Sequence, residues 1–275
     1  MMKHFNSFDG TKLAYSDQGH GLPVLCLAGL TRDGRDFDYV APFLNNVRMI
    51  RLDYRGRGAS AWCEDFNTYS IPTETQDVVA LLDHLDLPKV AILGTSRGGL
   101  IAMLMAAAHK DRLIGACLND IGPDIASDGL DKILGYIGRP PPFRTHQEMA
   151  DAMPERMAGF ANVPPDRWLQ EVQRHSIETD AGLQLTYDPR LRDAVIAARA
   201  TPLVDLWPLF DAMADLPLAL IRGANSDLLT PETAQEMQRR RPDMVFATVP
   251  NRAHVPFLDE PEAVAALTKW LELCQ

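Results

Sequence analysis

The sequence has few cysteines, and none of them stands in a spacing typical of a metal site. The four are Cys26, Cys63, Cys117 and Cys274. No CxxC pair occurs, and Cys26 and Cys117 lie inside apolar runs, where cysteine behaves as a small hydrophobic residue. We therefore expect reduced thiols without disulfides, and neither a metal ion nor an organic cofactor.

The sequence also lacks a long apolar run and an excess of basic residues. No window approaches the ~20 apolar residues of a membrane span, and residues 1–6 contain no apolar core followed by a cleavage site. The net charge of -10 at pH 7 argues against nucleic acid or an anionic membrane surface, because both select clustered Lys and Arg. We expect a cytoplasmic protein, monomeric or homodimeric, that acts on a small molecule and binds neither nucleic acid nor membrane.

The chemical signal that is present lies in Gly94-Thr95-Ser96-Arg97-Gly98. Buried-strand residues precede this GxSxG motif, and the apolar run 100–108 after it predicts a helix. In so sharp a turn the two glycines prevent clashes with neighbouring backbone, and the serine hydroxyl stands exposed at the positive end of the helix. The motif predicts a nucleophilic serine, although similar glycine-rich turns also bind phosphates and dinucleotides.

Apolar strand patterns alternate with helical patterns on both sides of this motif. Strands are predicted within residues 23–28, 47–52, 90–93 and 113–119, and the alternation resumes with strands at 218–222 and 244–249. Such alternation indicates an α/β fold with a mostly parallel sheet and helices on both faces. Residues 123–201 contain proline-broken helical stretches without a buried strand. We predict a core of residues 1–122 and 202–275 and a helical cap, or lid, of residues 123–201.

A serine nucleophile needs a base with a pKa near neutrality, which points to histidine. Of the seven histidines, His254 differs from the others because it follows the last predicted strand. Loops at the carboxyl ends of parallel strands are where open α/β sheets place their sites. We predict that His254 is the base.

The base in turn needs a carboxylate that orients its ring and stabilises the imidazolium. Asp227 and Asp120 each follow a predicted strand, and both fit the chain order of serine, acid and histidine. We favour Asp227, because an aspartate after the penultimate strand can meet a histidine after the last one across adjacent strand ends. Asp120 remains the alternative acid.

Two backbone amides are candidates for an oxyanion hole. The N–H of Arg97 directly follows the serine, and the N–H of Leu30 lies in the glycine turn Ala28-Gly29-Leu30-Thr31 after the strand at 23–28. The sequence cannot separate this interpretation from an ordinary glycine turn, because the donor in question is backbone.

Several spaced motifs resemble the α/β-hydrolase superfamily, and within it the cap-bearing serine hydrolases. They cover almost the whole chain, from Phe8-Asp9-Gly10, the 28–29 turn and Asp53-Tyr54-Arg55-Gly56-Arg57-Gly58-Ala59-Ser60 to the GxSxG motif, 223–231 and Ala253-His254. The resemblance implies a core of eight strands, a helical cap over the site, and a triad of Ser96, Asp227 and His254.

Two positions depart from this resemblance. Ala28-Gly29 stands where relatives often have His-Gly, and Arg97 stands where many have a smaller or apolar residue. We expect the Arg97 guanidinium to pair with a neighbouring carboxylate, with lining the pocket as the alternative. We also interpret the 53–60 loop as structural, with Arg55 and Arg57 satisfying backbone groups and Asp53.

The resemblance and the serine together favour hydrolysis of a carboxylic ester or lactone of a small to medium acyl substrate through an acyl-enzyme. Haloalkane dehalogenases and epoxide hydrolases of the same superfamily use aspartate at the nucleophile position. Carbon-carbon bond or amide hydrolysis and a low-turnover, receptor-like ligand-binding role are the alternatives. Met153, Trp168 and Trp207 are candidates for an apolar substrate pocket, but such a pattern also arises from packing between cap and core.

Overall fold

The computed structural model describes residues 1–200 and 204–275, apart from the side chain at position 128. The elements in chain order are β1 (Lys3–Asn6), β2 (Lys12–Gly19), β3 (Leu22–Leu27), β4 (Val47–Asp53), α1 (Ile71–His84), β5 (Val90–Thr95), α2 (Arg97–Ala108), β6 (Leu113–Asn119), α3 (Ser127–Tyr136), α4 (His146–Arg156), α5 (Pro165–His175), β7 (Ser176–Thr179), β8 (Gly182–Leu185), α6 (Leu191–Arg199), α7 (Trp207–Asp211), β9 (Leu218–Gly223), α8 (Pro231–Arg240), β10 (Val245–Val249) and α9 (Pro261–Leu273).

Within these described residues, the main sheet has eight strands in the order β1-β2-β4-β3-β5-β6-β9-β10. The pairings β1/β2 and β2/β4 are antiparallel, and β4/β3, β3/β5, β5/β6, β6/β9 and β9/β10 are parallel. All six residues of β5 are buried, as expected for a parallel strand that is covered on both faces. The predicted α/β fold with an eight-stranded, mostly parallel sheet is confirmed.

Helices cover both faces of the sheet. Side chains of α1, α2 and α8, among them Leu81, Ile101 and Met237, pack with one face in a single apolar cluster. The other face packs against α9 through Leu267 and Trp270. The carboxyl ends of the parallel strands lie at one edge of the sheet, where the loops that follow them can form a site.

The segment between β6 and β9 contains α3 to α6 and the antiparallel hairpin β7/β8. We expected helices without strands here, so the hairpin is a difference. Its strands have four residues each, and in β7 only Ser176 is buried. The segment therefore lacks the alternation of apolar and polar residues that would have predicted strands. The boundaries of the cap stay a prediction, and its predicted end at residue 201 and the core's resumption at residue 202 lie outside the described residues.

No helix in the described part of the chain is both long and apolar enough to cross a lipid bilayer.

Candidate active site

Ser96 occupies a strained turn between β5 and α2. Its backbone has φ 50° and ψ -113°, a conformation that non-glycine residues rarely adopt. A β-carbon on Gly98 would lie 2.1 Å from the Leu27 carbonyl oxygen, and one on Gly94 would lie 2.5 Å from the Gly98 backbone. The two glycines therefore permit the turn that lifts the serine from the sheet, as the motif predicts.

His254 lies in the loop between β10 and α9, and its ring reaches the serine. The distance between His254 Nε2 and Ser96 Oγ is 2.9 Å, which is hydrogen-bond distance. The histidine side chain keeps 16% of its surface exposed. The imidazole is thus close enough to accept the serine proton.

The other ring nitrogen of His254 contacts Asp120, which directly follows β6. The Nδ1 to Oδ2 distance is 2.7 Å, and the aspartate side chain is fully buried. Asp120 Oδ1 accepts a hydrogen bond from the Gly223 amide (2.7 Å), and Oδ2 also accepts one from the Ser226 hydroxyl (2.6 Å). These bonds fix the carboxylate in one orientation.

The structure corrects our preference for Asp227 as the partner of His254. Asp227 lies in the loop after β9, and its carboxylate pairs with Lys132 Nζ of α3 at 2.6 Å. That loop contributes Ser226 to the site instead, through its bond to Asp120. Adjacency of strand ends was not sufficient evidence, because Asp227 comes four residues after β9 and faces α3, whereas Asp120 follows its strand immediately.

The amides of Leu30 and Arg97 lie on the two turns that meet at Ser96. Arg97 is the first residue of α2, and a β-carbon on Gly29, next to Leu30, would lie 3.9 Å from Ser96 Cβ. Within residues 1–200 and 204–275, neither N–H donates a hydrogen bond. Two free backbone donors, one of them at the N-terminus of α2, are a suitable environment for a developing negative charge.

A buried carboxylate connects these two turns. Glu74 Oε1 accepts from Arg57 Nη1 at 2.7 Å and Oε2 accepts from Arg97 Nε at 2.5 Å, while Arg57 Nε donates to the Leu30 carbonyl at 2.9 Å. Burial opposes the negative charge, but the two guanidinium groups hold the pKa of Glu74 below its usual value. The Arg97 side chain thus pairs with a carboxylate, as expected.

The 53–60 loop agrees with our expectation for Arg57, which donates to the backbone carbonyls of Leu30 and Arg55, but not for Arg55 and Asp53. Asp53 accepts hydrogen bonds from the amides of Gly34 and Ala59. Arg55 pairs with Asp77 and Asp9, rather than with Asp53. Buried charge in this loop is therefore neutralised by carboxylates from α1 and the β1/β2 turn, which lie far away in the sequence.

The predicted pocket residues take part in packing. Trp168 is 3% exposed and belongs to an apolar cluster with Met153 and Phe257. Trp207 contacts Phe210 edge-on and stacks under Arg240 at 4.1 Å. The packing interpretation of these side chains is the one that their contacts support.

Sequence reasoning missed three polar residues around the site, namely Ser226, Glu74 and Arg32. Ser226 bonds to Asp120 and Glu74 bonds to Arg97, in each case across more than 20 residues of sequence, so that no local motif predicts these contacts. Arg32 stands in the glycine turn already singled out for Leu30, and its position there was the available signal.

Comparisons with known proteins agree with this architecture. The model of the alpha/beta hydrolase family matches residues 24–267. The 3-hydroxybutyrate-oligomer hydrolase of Cupriavidus necator is 35% identical over 260 residues, which cover 91% of this chain and 88% of that protein. The pimeloyl-[acyl-carrier protein] methyl ester esterase of Yersinia enterocolitica is 27% identical over 236 residues, 81% of each chain.

A solved structure extends the likeness over nearly the whole chain. The alpha/beta hydrolase from Novosphingobium aromaticivorans superposes with a TM-score of 0.91 at 37% identity, covering 99% of this chain and 98% of that one. With the eight-stranded sheet and the strained serine turn, these matches show that the chain is a hydrolase and belongs to the alpha/beta hydrolase family.

Proposed function

We propose that the protein is a serine hydrolase that cleaves carboxylic esters through an acyl-enzyme intermediate. The observation that carries this proposal is the continuous hydrogen-bonded chain from Ser96 through His254 to Asp120. A nucleophile, a base within reach of its proton and a carboxylate that orients the base are the three groups that acyl transfer requires.

In the proposed reaction, Ser96 Oγ attacks the ester carbonyl carbon as its proton passes to His254 Nε2. The carbonyl oxygen becomes an oxyanion and accepts hydrogen bonds from the amides of Leu30 and Arg97, each worth about 2.7 to 4 kcal/mol by analogy with other oxyanion holes. The carbon-oxygen bond to the alcohol then breaks, and His254 returns its proton to the leaving oxygen. Water repeats the sequence on the acyl-enzyme and releases the acid and free Ser96.

Asp120 contributes by fixing the ring of His254. Its bond to Nδ1 selects the tautomer that leaves Nε2 free to accept a proton, and its charge stabilises the imidazolium. The full burial of Asp120 strengthens that interaction, because little solvent screens it. The proton itself stays on the histidine.

As substrates we propose linear esters of short hydroxy acids, of the kind named for the 3-hydroxybutyrate-oligomer hydrolase. The similarity to that protein covers 91% of this chain and 88% of that protein. In such a linear oligomer every hydroxyl except the terminal one is esterified by the next unit, and the other end carries a free carboxylate.

A fluorophosphonate probe and a set of esters test the proposal. We expect a single covalent adduct on the wild type and none on Ser96→Ala, and a loss of about 10⁴-fold or more in kcat/KM on p-nitrophenyl butyrate. Ser16→Ala, a serine on β2, is the matched control and should react like the wild type. An adduct that persists on Ser96→Ala, or saturable binding of esters and lactones without turnover of any, would contradict the proposal.

A further inference from the structure

Arg32 extends from the turn that carries Leu30 and runs past Gly29 toward the cap. The Arg32 amide closes this turn by donating to the Gly29 carbonyl at 3.2 Å. A β-carbon on Gly29 would lie 3.4 Å from Arg32 Cγ on one side and 3.9 Å from Ser96 Cβ on the other. The arginine stem therefore begins directly beside the serine, separated from it by a residue without a side chain.

The guanidinium of Arg32 is incompletely paired. In the described residues its one hydrogen bond is a long contact of 3.4 Å from Nη1 to Glu171 Oε2, with Asp36 at 3.9 Å. About a third of the side chain, 32%, is exposed. Arg57 differs in exposure, because it is fully buried, and it donates to Leu30, Arg55 and Glu74 through Nε and Nη1. Arg32 thus keeps donor capacity that the fold does not use.

Glu171 does not neutralise Arg32 alone, because Arg174 of α5 shares it. Its Oε1 lies 3.8 Å from Arg174 Nη1. Arg32 therefore presents an accessible positive charge beside the serine, on a chain whose net charge is -10.

Tyr136 of α3 lies in the surroundings of Arg32. Partial burial raises the pKa of Tyr136, the positive charge of Arg32 opposes the rise, and the negative charge of Asp227 adds to it. Tyr136 is nevertheless 54% exposed. Arg32 therefore has an exposed polar side chain of α3 in its surroundings.

We infer that Arg32 is a specificity-determining residue that binds a free carboxylate of the substrate while the ester carbonyl lies at Ser96. This inference rests on the proposed ester hydrolysis and narrows its substrates to esters that also carry a carboxylate. A guanidinium fork suits this role, since two parallel N–H groups match the two carboxylate oxygens. With Arg32 and Ser96 on either side of Gly29, the bound carboxylate and the scissile ester belong to one short molecule.

The test compares the linear dimer of 3-hydroxybutyrate with its primary amide, in which the terminal carboxylate is replaced by a neutral group of similar size. Both probes contain the same internal ester. We expect the wild type to prefer the acid by about 10- to 100-fold in kcat/KM, through KM, as a charge-assisted hydrogen bond predicts. Arg32→Gln should abolish this preference while kcat/KM on the amide changes by less than about threefold.

Two further variants make the result specific to Arg32. Arg35→Gln removes a neighbouring arginine that is held by Asp33 and should keep the preference. Arg32→Lys retains the charge without the fork and should keep part of it. Turnover of p-nitrophenyl butyrate reports whether each variant is folded. If Arg32→Gln is not folded, the ratio of kcat/KM on the acid to kcat/KM on the amide in Arg32→Lys decides.

The possible failures are distinguishable. A wild type that cleaves p-nitrophenyl butyrate but cleaves both dimers equally, or neither, overturns the assignment of Arg32 and leaves ester hydrolysis in place. An unchanged preference in Arg32→Gln, or an equal loss on both probes as expected for a merely structural arginine, also overturns it. A wild type that cleaves no ester at all contradicts the proposed function.

Discussion

At the scale of single residues, Asp120 and Asp227 offer a matched pair of substitutions. Asp120 Oδ2 lies 2.7 Å from His254 Nδ1, so Asp120→Asn should favour the wrong histidine tautomer and lower kcat by about 10⁴-fold. Asp227→Asn removes a charge that pairs with Lys132 and should change kcat by less than about threefold, since a partly exposed ion pair contributes little. Steady-state hydrolysis of p-nitrophenyl butyrate measures both effects.

If Asp227→Asn is inactive and Asp120→Asn keeps its activity, the prediction is contradicted. That result would show that His254 contacts Asp227, in the loop after β9, in solution. Circular dichroism of both variants separates this outcome from unfolding. The comparison also tests the part played by Ser226, whose hydroxyl contacts Asp120, because Ser226→Ala should lower kcat by a smaller factor than Asp120→Asn.

Glu74 is the second residue with an effect beyond its own contacts. It is fully buried between Arg57 and Arg97, and removing one partner from such a group costs about 3–5 kcal/mol. We expect Glu74→Gln to lower the free energy of unfolding by an amount near the lower end, because the amide still accepts one bond. We also expect it to lower kcat more than it changes KM, since the two turns that carry the amides of Leu30 and Arg97 both lose a stabilising contact.

Urea denaturation and steady-state kinetics check this prediction together. Glu236→Gln is the control, because Glu236 pairs with Arg239 and Arg240 at the surface and should leave both the urea midpoint and kcat unchanged. A Glu74→Gln variant that loses stability but keeps the wild-type kcat would show that Glu74 supports the fold without positioning the two amides.

At the scale of elements, the contact between α5 and the short helix Gly34–Asp38 carries a predicted pH dependence. Burial raises the pKa of Asp36 to about 7, where Arg32 and Arg174 oppose the rise, and Glu171 and Asp33 add to it. Between pH 4 and 7 the folded protein therefore holds a proton that the unfolded chain releases, so stability falls as the pH rises through this window.

His175 does not offset the effect. Its Nε2 lies 3.2 Å from Asp36 Oδ1, but burial and the nearby positive charges of Arg32, Arg35 and Arg174 lower its pKa well below the usual value, and it stays neutral. We expect Asp36→Asn to raise the melting temperature relative to the wild type by at least about 2 °C more at pH 8 than at pH 5.5. Asp38→Asn, at a more exposed carboxylate (41%), is the control, and an equal gain at both pH values would contradict the prediction.

Elements differed in how well the sequence predicted them. β5 and the turn at Ser96 were predictable, because the local sequence contains the signals for both. The apolar run predicts the strand, and the two glycines around the serine predict the sharp turn that ends it. The hairpin β7/β8 was not predictable, because its strands have only four residues each and β7 is mostly exposed. The choice between Asp120 and Asp227 was not predictable either, because both lie in loops after parallel strands and the outcome depends on contacts across the sheet edge.

At the scale of the whole molecule, strand order explains how distant segments meet. β5, β6, β9 and β10 are consecutive neighbours in the sheet, and the loops at their carboxyl ends supply Ser96, Asp120, Ser226 and His254 in turn. β3, on the other side of β5, supplies the turn with Leu30 and Arg32. One edge of one sheet thus brings together the proposed nucleophile, base, acid and specificity residue.

The segment that we predict to be a cap contacts this edge through an aromatic pair that can be tested. Trp168 of α5 contacts Phe257 edge-on with ring centroids 6.3 Å apart, and Phe257 follows His254 by three residues. We expect Trp168→Ala to lower the free energy of unfolding by about 3 kcal/mol, as large-to-small changes in packed clusters do. It should also lower kcat/KM, because the loop that carries His254 loses a packing contact.

Trp207→Ala should destabilise the fold with little change in kcat/KM, since Trp207 packs against Phe210 and Arg240. Trp62→Ala, at a side chain that is 55% exposed, should change neither. Urea titrations and kinetics at a temperature where all variants are folded make the comparison, and equal activity losses in Trp168→Ala and Trp207→Ala would show that activity follows global stability rather than the contact between cap and histidine loop.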